Sequence, residues 1–209
     1  MRYLSGAIMD NMQTVIQLIN QFVPDNYRLS LLLNRSDRTF DGVVTIQGIS
    51  QPSMNSITLH SKDLDIESVV FDGKKAEFSF GDDDTLIITH PDICEGKHIV
   101  VIALNGKITD SMHGLYPCYY DHNGFKKELL ATQFESHSAR EVFPCIDEPE
   151  AKATFDVTLT TELDVTVLGN MPIKSQANEN DKLITTFDTT PRMSSYLLAR
   201  CKGNGWSRP

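Results

Sequence analysis

Thr154-Phe155-Asp156-Val157-Thr158-Leu159-Thr160 is the stretch on which the reading of the fold turns. Phe155, Val157 and Leu159 occupy every second position, with polar residues between them. Successive side chains on a strand point to opposite faces, so this spacing predicts a half-buried β-strand with an apolar inner face. Further out, Phe40–Ile49 is apolar on both faces near its middle, at Val43, Val44 and Ile46. Ile99–Leu104 is a continuous apolar run, which predicts a strand covered on both sides. Asp72-Gly73, Asn105-Gly106 and Asn123-Gly124 each lie between candidate strands and predict hairpin turns. Many short strands joined by such turns predict one all-β domain, an antiparallel sandwich or saddle.

Two segments depart from the strand pattern. Met12, Val15, Ile16, Ile19 and Phe22 recur at helical spacing, with Asp10 or Asn11 as a cap and Pro24 ending the run, which predicts one short N-terminal helix. Between Ser136 and Glu150, Ser138 and Glu141 have the spacing of a capping box, which predicts a helical turn. Pro144 and Pro149 then bracket a stretch that cannot continue as regular helix.

The 209 residues carry 19 basic and 28 acidic side chains, a formal charge of −9. Nucleic acid is thereby a poor partner, because phosphate binding needs a basic surface. No apolar run approaches the roughly 20 residues of a spanning helix, so no membrane partner is expected. Asp10 interrupts the first apolar stretch before it reaches the length of a secretory core. Cys94, Cys118, Cys145 and Cys201 form no Cys-x-x-Cys pair; four reduced thiols and a cytoplasmic location are the expectation.

The sequence contains no His-Glu-x-x-His, Gly-x-Ser-x-Gly, phosphate-loop or dinucleotide motif. His113, Cys118 and His122, with Asp121 adjacent, lie close in sequence, yet their spacing fits no helix face or zinc knuckle. Thr132-Gln133-Phe134-Glu135 is more informative. On a strand Gln133 and Glu135 project from one face while Phe134 enters the other. An amide oxygen beside a carboxylate is an acceptor pair suited to an ammonium group, such as a peptide's α-amino group. The same alternation also describes the polar outer face of an ordinary half-buried strand. Asp147 and Glu148 are adjacent acids of the kind used in glycoside hydrolysis. Neighbouring residues seldom face one point, and loop hydrogen bonding or pairing with Arg140 is the competing role.

Several of these stretches together resemble the M1 family of zinc aminopeptidases. They are Ala131-Thr132-Gln133-Phe134-Glu135, Ala139-Arg140, Phe143-Pro144-Cys145-Ile146-Asp147-Glu148-Pro149 and Ala151-Lys152-Ala153-Thr154-Phe155. Val23-Pro24-Asp25-Asn26-Tyr27, Phe40-Asp41-Gly42, Gly114-Leu115-Tyr116, Asn170-Met171-Pro172 and Met193-Ser194-Ser195-Tyr196-Leu197 agree with them. The resemblance implies a β-rich, saddle-like N-terminal domain over residues 23–199, preceded by a helical lead-in at 1–22. In the family that domain packs against a thermolysin-like catalytic domain and contributes the site that holds the free amino terminus of a peptide substrate. The matching positions are Gln133 and Glu135, and the resemblance implies that Glu135 fixes the substrate's register without performing chemistry.

The family's zinc ligands and its Gly-x-Met-Glu-Asn motif lie downstream of this domain and do not occur here, so no zinc and no catalytic residue are expected in this chain. Residues 200–209 depart from the family pattern and read as a truncation or fusion scar outside the fold. The alternative function is a free-standing, non-catalytic β-sandwich module that binds peptide amino termini.

Overall fold

A computed structural model describes residues 17–163 and 165–203. Fifteen strands run through them, numbered here in chain order. Strands β1 (Phe22–Asn34) and β2 (Thr39–Ser50) form a long antiparallel pair. The chain then passes through β3 (Ser56–His60) to a hairpin of β4 (Asp65–Phe71) and β5 (Lys74–Lys75). A second hairpin, β6 (Glu77–Gly81) and β7 (Thr85–Thr89), leads to β8 (Gly96–Lys107). Next come β9 (Gly114–His122), β10 (Phe125–Gln133) and, after a loop, β11 (Thr154–Glu162). The remaining strands are β12 (Thr166–Gly169), β13 (Ile173–Glu179), β14 (Lys182–Phe187) and β15 (Arg200–Gly203).

They assemble into an eight-stranded sheet, order β13-β14-β11-β1-β2-β8-β4-β5, a four-stranded sheet β12-β15-β10-β9 and a three-stranded sheet β3-β7-β6. The expected alternation is realised in β11, where Phe155, Val157 and Leu159 are buried and the polar residues between them are half-exposed. Apolar residues from all three sheets join one core cluster. Where the large sheet meets the four-stranded one, Leu31, Leu33, Leu115, Leu130 and Leu159 leave a cavity of only about 20 Å³. Close packing of this kind is what makes single methylene changes costly. The fold is all-β, and among the described residues no helix is long and apolar enough to cross a membrane.

Two of the three expected hairpins form. Asp72-Gly73 and Asn123-Gly124 both have positive φ at each residue, the conformation that matches the twist of paired strands. Asn105-Gly106 instead lies within β8, where Gly106 pairs with Phe40. Its glycine answers to packing rather than to a turn: a Cβ there would lie 2.1 Å from Cζ of Phe40. The Asn180-Asp181 turn joining β13 and β14, also with positive φ at both residues, carries no glycine.

Other expectations are corrected. The run Ile99–Leu104 is covered on one side only: Val100, Ile102 and Leu104 are buried, while Ile99 is 45% exposed. The large sheet is mixed, because β1 and β11 run parallel. Of the expected N-terminal helix, Met12, Val15 and Ile16 lie outside the described residues. Leu18–Asn20 forms a three-residue 3₁₀ turn and Phe22 already belongs to β1. The Glu148 carboxylate accepts the backbone N–H groups of Leu18 (2.6 Å) and Ile19 (3.1 Å), which fixes that turn. Strand pairing also extends past Ala199: Arg200–Gly203 inserts between β10 and β12, completing both ladders.

Candidate functional site

Strand β10 ends at Gln133, and the next residue, Phe134, turns into the core with 2% exposure. Its ring meets Phe143 edge-on at 6.3 Å. Phe143 in turn packs against Tyr27 and Phe155, which stack at 5.1 Å. Aromatic pairs of this geometry contribute about 0.5–1.5 kcal/mol beyond their buried area. The anchored Phe134 leaves Gln133 and Glu135 exposed on either side of it. Among the described residues, neither side chain has a hydrogen-bond or ion-pair partner. The Glu135–Ser136 peptide bond is cis.

The chain next closes a tight turn, with Ser138 N–H donating to the Phe134 carbonyl at 2.9 Å, and enters a 3₁₀ turn at Ala139–Glu141. The turn is where the capping-box spacing put it, yet Ser138 makes no side-chain cap. Glu141 is drawn elsewhere: its carboxylate meets Nδ1 of His113 at 2.5 Å and accepts from Nζ of Lys62 at 3.3 Å. It also packs on Gly114, where a Cβ would approach Oε2 to 2.9 Å and where φ is +66°. Gly114 is the register partner of Gln133, so this ionic clasp ties the turn after Glu135 to the strand beside Gln133.

Beneath the turn lies a buried polar knot. The Asp147 carboxylate, with no side-chain exposure, accepts from Nε of Arg140 (3.2 Å), from the Arg140 backbone N–H (3.3 Å) and from Oγ of Ser195 (2.6 Å). The Asp147 N–H donates to Nδ1 of His60 at 3.1 Å, and Tyr27 Oη accepts from Ile146 N–H at 3.0 Å. Asp147 and Glu148 therefore face different partners and share no cleft, which leaves the glycoside-hydrolase pairing without geometry. Burial pushes the Tyr27 phenol and the Cys145 thiol well above their usual ranges, so both stay neutral. Sequence spacing linked none of His60, His113, Tyr27 or Ser195 to this loop, because each reaches it from a different strand or turn.

His60 carries a pH prediction. Burial, followed by the neighbouring Arg140 charge, lowers its pKa from 6.5 to about 4, against the opposing pull of Asp147. Its Nδ1 must be unprotonated to accept the Asp147 N–H. The unfolded chain therefore binds a proton that the folded one refuses as pH falls from about 6.5 to 4. The His60 contribution is complete above the first value and lost toward the second. Allowing for partial exposure, the loss is about 1–2 kcal/mol. Urea unfolding of wild type and His60→Gln should show a stability gap at pH 7.5 that narrows by this amount at pH 4. A gap that stays constant across that range would contradict the neutral-histidine arrangement.

The described residues do not form a metal centre. Strand β9 holds His113 just before its first residue and His122 at its last, too far apart to share an ion with Cys118. No group of three His, Cys, Asp or Glu side chains able to hold a metal occurs among the described residues. What the loop does present is a packed base carrying two outward acceptors, with the hydrogen-bonded pair Ser136 Oγ and His137 Nδ1 (2.6 Å) next along the chain.

Residues 23–197 match the Peptidase M1 N-terminal domain. The chain is 47% identical over 190 residues to aminopeptidase N of Lactococcus lactis subsp. lactis, covering 89% of this chain and 22% of the relative. It is 43% identical over 180 residues to aminopeptidase N of Lactobacillus delbrueckii subsp. lactis, covering 85% of this chain and 20% of that protein. The puromycin-sensitive aminopeptidase of Caenorhabditis elegans is 39% identical over 189 residues, again covering 85% of this chain and 20% of the relative. The chain thus spans about a fifth of the length of the curated relatives it matches. With a match that takes in nearly all of β1, every strand from β2 to β14 and the whole loop that carries Glu135, the chain belongs to the peptidase M1 N-terminal domain family.

Proposed function

We propose that this chain is the amino-terminal substrate-anchoring part of a zinc aminopeptidase, in which Glu135 receives the free α-ammonium group of a peptide and Gln133 walls the same pocket. The observation that carries this reading is the pair of exposed acceptors with no partner among the described residues, set on a loop whose Arg140, Glu141, Asp147 and Glu148 side chains are all engaged. A peptide α-amino group has a pKa near ~8 and is mostly charged at pH 7. A carboxylate facing it gains a charge-assisted hydrogen bond worth about 1.5–3 kcal/mol. Such a bond fixes which peptide bond reaches the reacting centre, because only a free amino terminus satisfies it. The zinc itself would be held by residues of the longer polypeptide outside this chain, whose own sequence carries no His-Glu-x-x-His motif.

The test is Glu135→Ala in an aminopeptidase polypeptide that carries this segment. kcat/KM for aminoacyl anilides is expected to fall at least about tenfold, the decade that 1.4 kcal/mol represents. Glu135→Gln, which keeps the shape and loses the charge, should fall between the two. Unchanged kinetics in Glu135→Ala would refute the anchor assignment.

A further inference from the structure

Between the buried Phe134 and Ala139, residues Glu135, Ser136 and His137 are exposed. The tip that carries Glu135 is therefore placed by whatever holds its two ends. Phe134 fixes the first end in the aromatic core. The second end is the 3₁₀ turn Ala139–Glu141, which is held from two directions. From beneath, Arg140 is bound to Asp147. From the side, Glu141 reaches over the first residue of β9, and its Oε2 lies 2.9 Å from the position of a Cβ on Gly114. Glycine, with φ of +66° and no side chain, leaves room for the carboxylate there. The two oxygens of Glu141 divide between His113 Nδ1 and Lys62 Nζ, and only 14% of the side chain is exposed. Lys62 lies between β3 and β4, and its backbone N–H also donates to the Arg140 carbonyl at 2.9 Å. Gly114 and Gln133 are register partners on the surface opposite the buried Leu115 and Leu130. The Glu141 carboxylate thus sits on the face from which Gln133 projects.

We infer that Glu141 is a positioning residue for the amino-terminus site: by locking the 3₁₀ turn to β9 through His113 and to Lys62, it sets where Glu135 stands relative to Gln133. The inference rests on the anchoring role proposed above. A tip tied only at Phe134 pivots about that residue and carries Glu135 with it, while Gln133 stays with the β9–β10 ladder. The clasp at Glu141 is a second tie, made to the same ladder beside the partner of Gln133, and it removes that freedom. Its value lies in geometry, because an ammonium group must meet both acceptors at once, and displacements near 1 Å at such a site cost up to about 100-fold in rate. The clasp adds little to folding. Lys62 and His113 are 38% and 46% exposed, and pairs with partners so open to solvent contribute weakly to stability. Loss of Glu141 strands no buried charge, and the Arg140–Asp147 pair still holds the turn from beneath. A stability role and a positioning role are therefore separable at this residue.

The test is a double-mutant cycle in the longer aminopeptidase polypeptide used for Glu135→Ala. Glu141→Ala should lower kcat/KM for aminoacyl anilides by roughly fivefold while leaving the urea midpoint nearly unchanged. In that background Glu135→Ala should cost only about twofold more, so that the double variant is no worse than Glu135→Ala alone, about tenfold below wild type. Glu141→Gln, whose amide can still accept from Lys62 and donate to an unprotonated His113 nitrogen, should recover most of the activity. His113→Ala, at an exposed site where folding is not at stake, should show the same coupling with a smaller first loss, about twofold. Losses that multiply, to about 50-fold in the double variant, would overturn the positioning role and leave the anchor standing. Wild-type kinetics in both Glu141→Ala and His113→Ala would do the same. An inert Glu135→Ala would refute the anchor and the positioning role together, whatever Glu141→Ala does.

Discussion

Asp147→Ala is expected to destabilise the folded chain by about 3–5 kcal/mol, a large part of the stability of an ordinary domain. The carboxylate has no exposure, and Arg140 beside it keeps only 12% of its side chain in contact with solvent. Removing the acid leaves a guanidinium charge in low dielectric, an unpaired Arg140 N–H and a Ser195 hydroxyl without its acceptor. Losing one member of a buried pair costs far more than the pair contributes, because the survivor keeps its full desolvation penalty. Arg140→Met in the Asp147→Ala background should therefore recover part of the loss, an outcome not expected if the two sites acted independently. Urea denaturation of the single and double variants measures this directly. A loss below about 1 kcal/mol for Asp147→Ala would mean that the knot is solvated, against the geometry described here.

That knot lies where sequence reading had least purchase. Asp147 and Arg140 were legible as a possible pair because both sit in one short loop, but Ser195 and His60 come from distant parts of the chain. No linear spacing marks a contact closed by tertiary packing. The strands were easier. A period of two in Thr154–Thr160 needs only local geometry, and positive φ at Asp72-Gly73 and Asn123-Gly124 follows from the residue types themselves. The apolar run Ile99–Leu104 misled for the opposite reason. It reports what a strand can bury, while coverage depends on what packs against it, and one face of β8 is left open. Glu135 falls between these cases. Alternation alone put Gln133 and Glu135 on one face, yet polar alternation is also the ordinary signature of a half-exposed sheet. Only the combination of many short stretches singled the pair out.

Gly106 is the clearest instance of one dipeptide serving two physical ends, and it carries the second large prediction. Asn-Gly between apolar runs is a strong hairpin signal, but here β8 continues through it in register with β2. Phe40, fully buried, lies directly opposite, and the position of a Cβ on Gly106 falls 2.1, 2.5 and 2.7 Å from three of its ring carbons. These are not the far end of a flexible chain that can swing away: the ring is enclosed by the core. Gly106→Ala is therefore expected to cost about 3 kcal/mol, at the upper end for an inserted methyl group, because the ring or the strand must shift. Phe40→Ala alone should cost about 3–5 kcal/mol through the cavity that it leaves. Together the two changes should cost less than their sum by about 2–3 kcal/mol, since the methyl group added at position 106 would occupy space that the ring has vacated. Additive losses in that cycle, measured by urea unfolding, would refute the steric account. A negligible effect of Gly106→Ala alone would likewise contradict the close approach to Phe40.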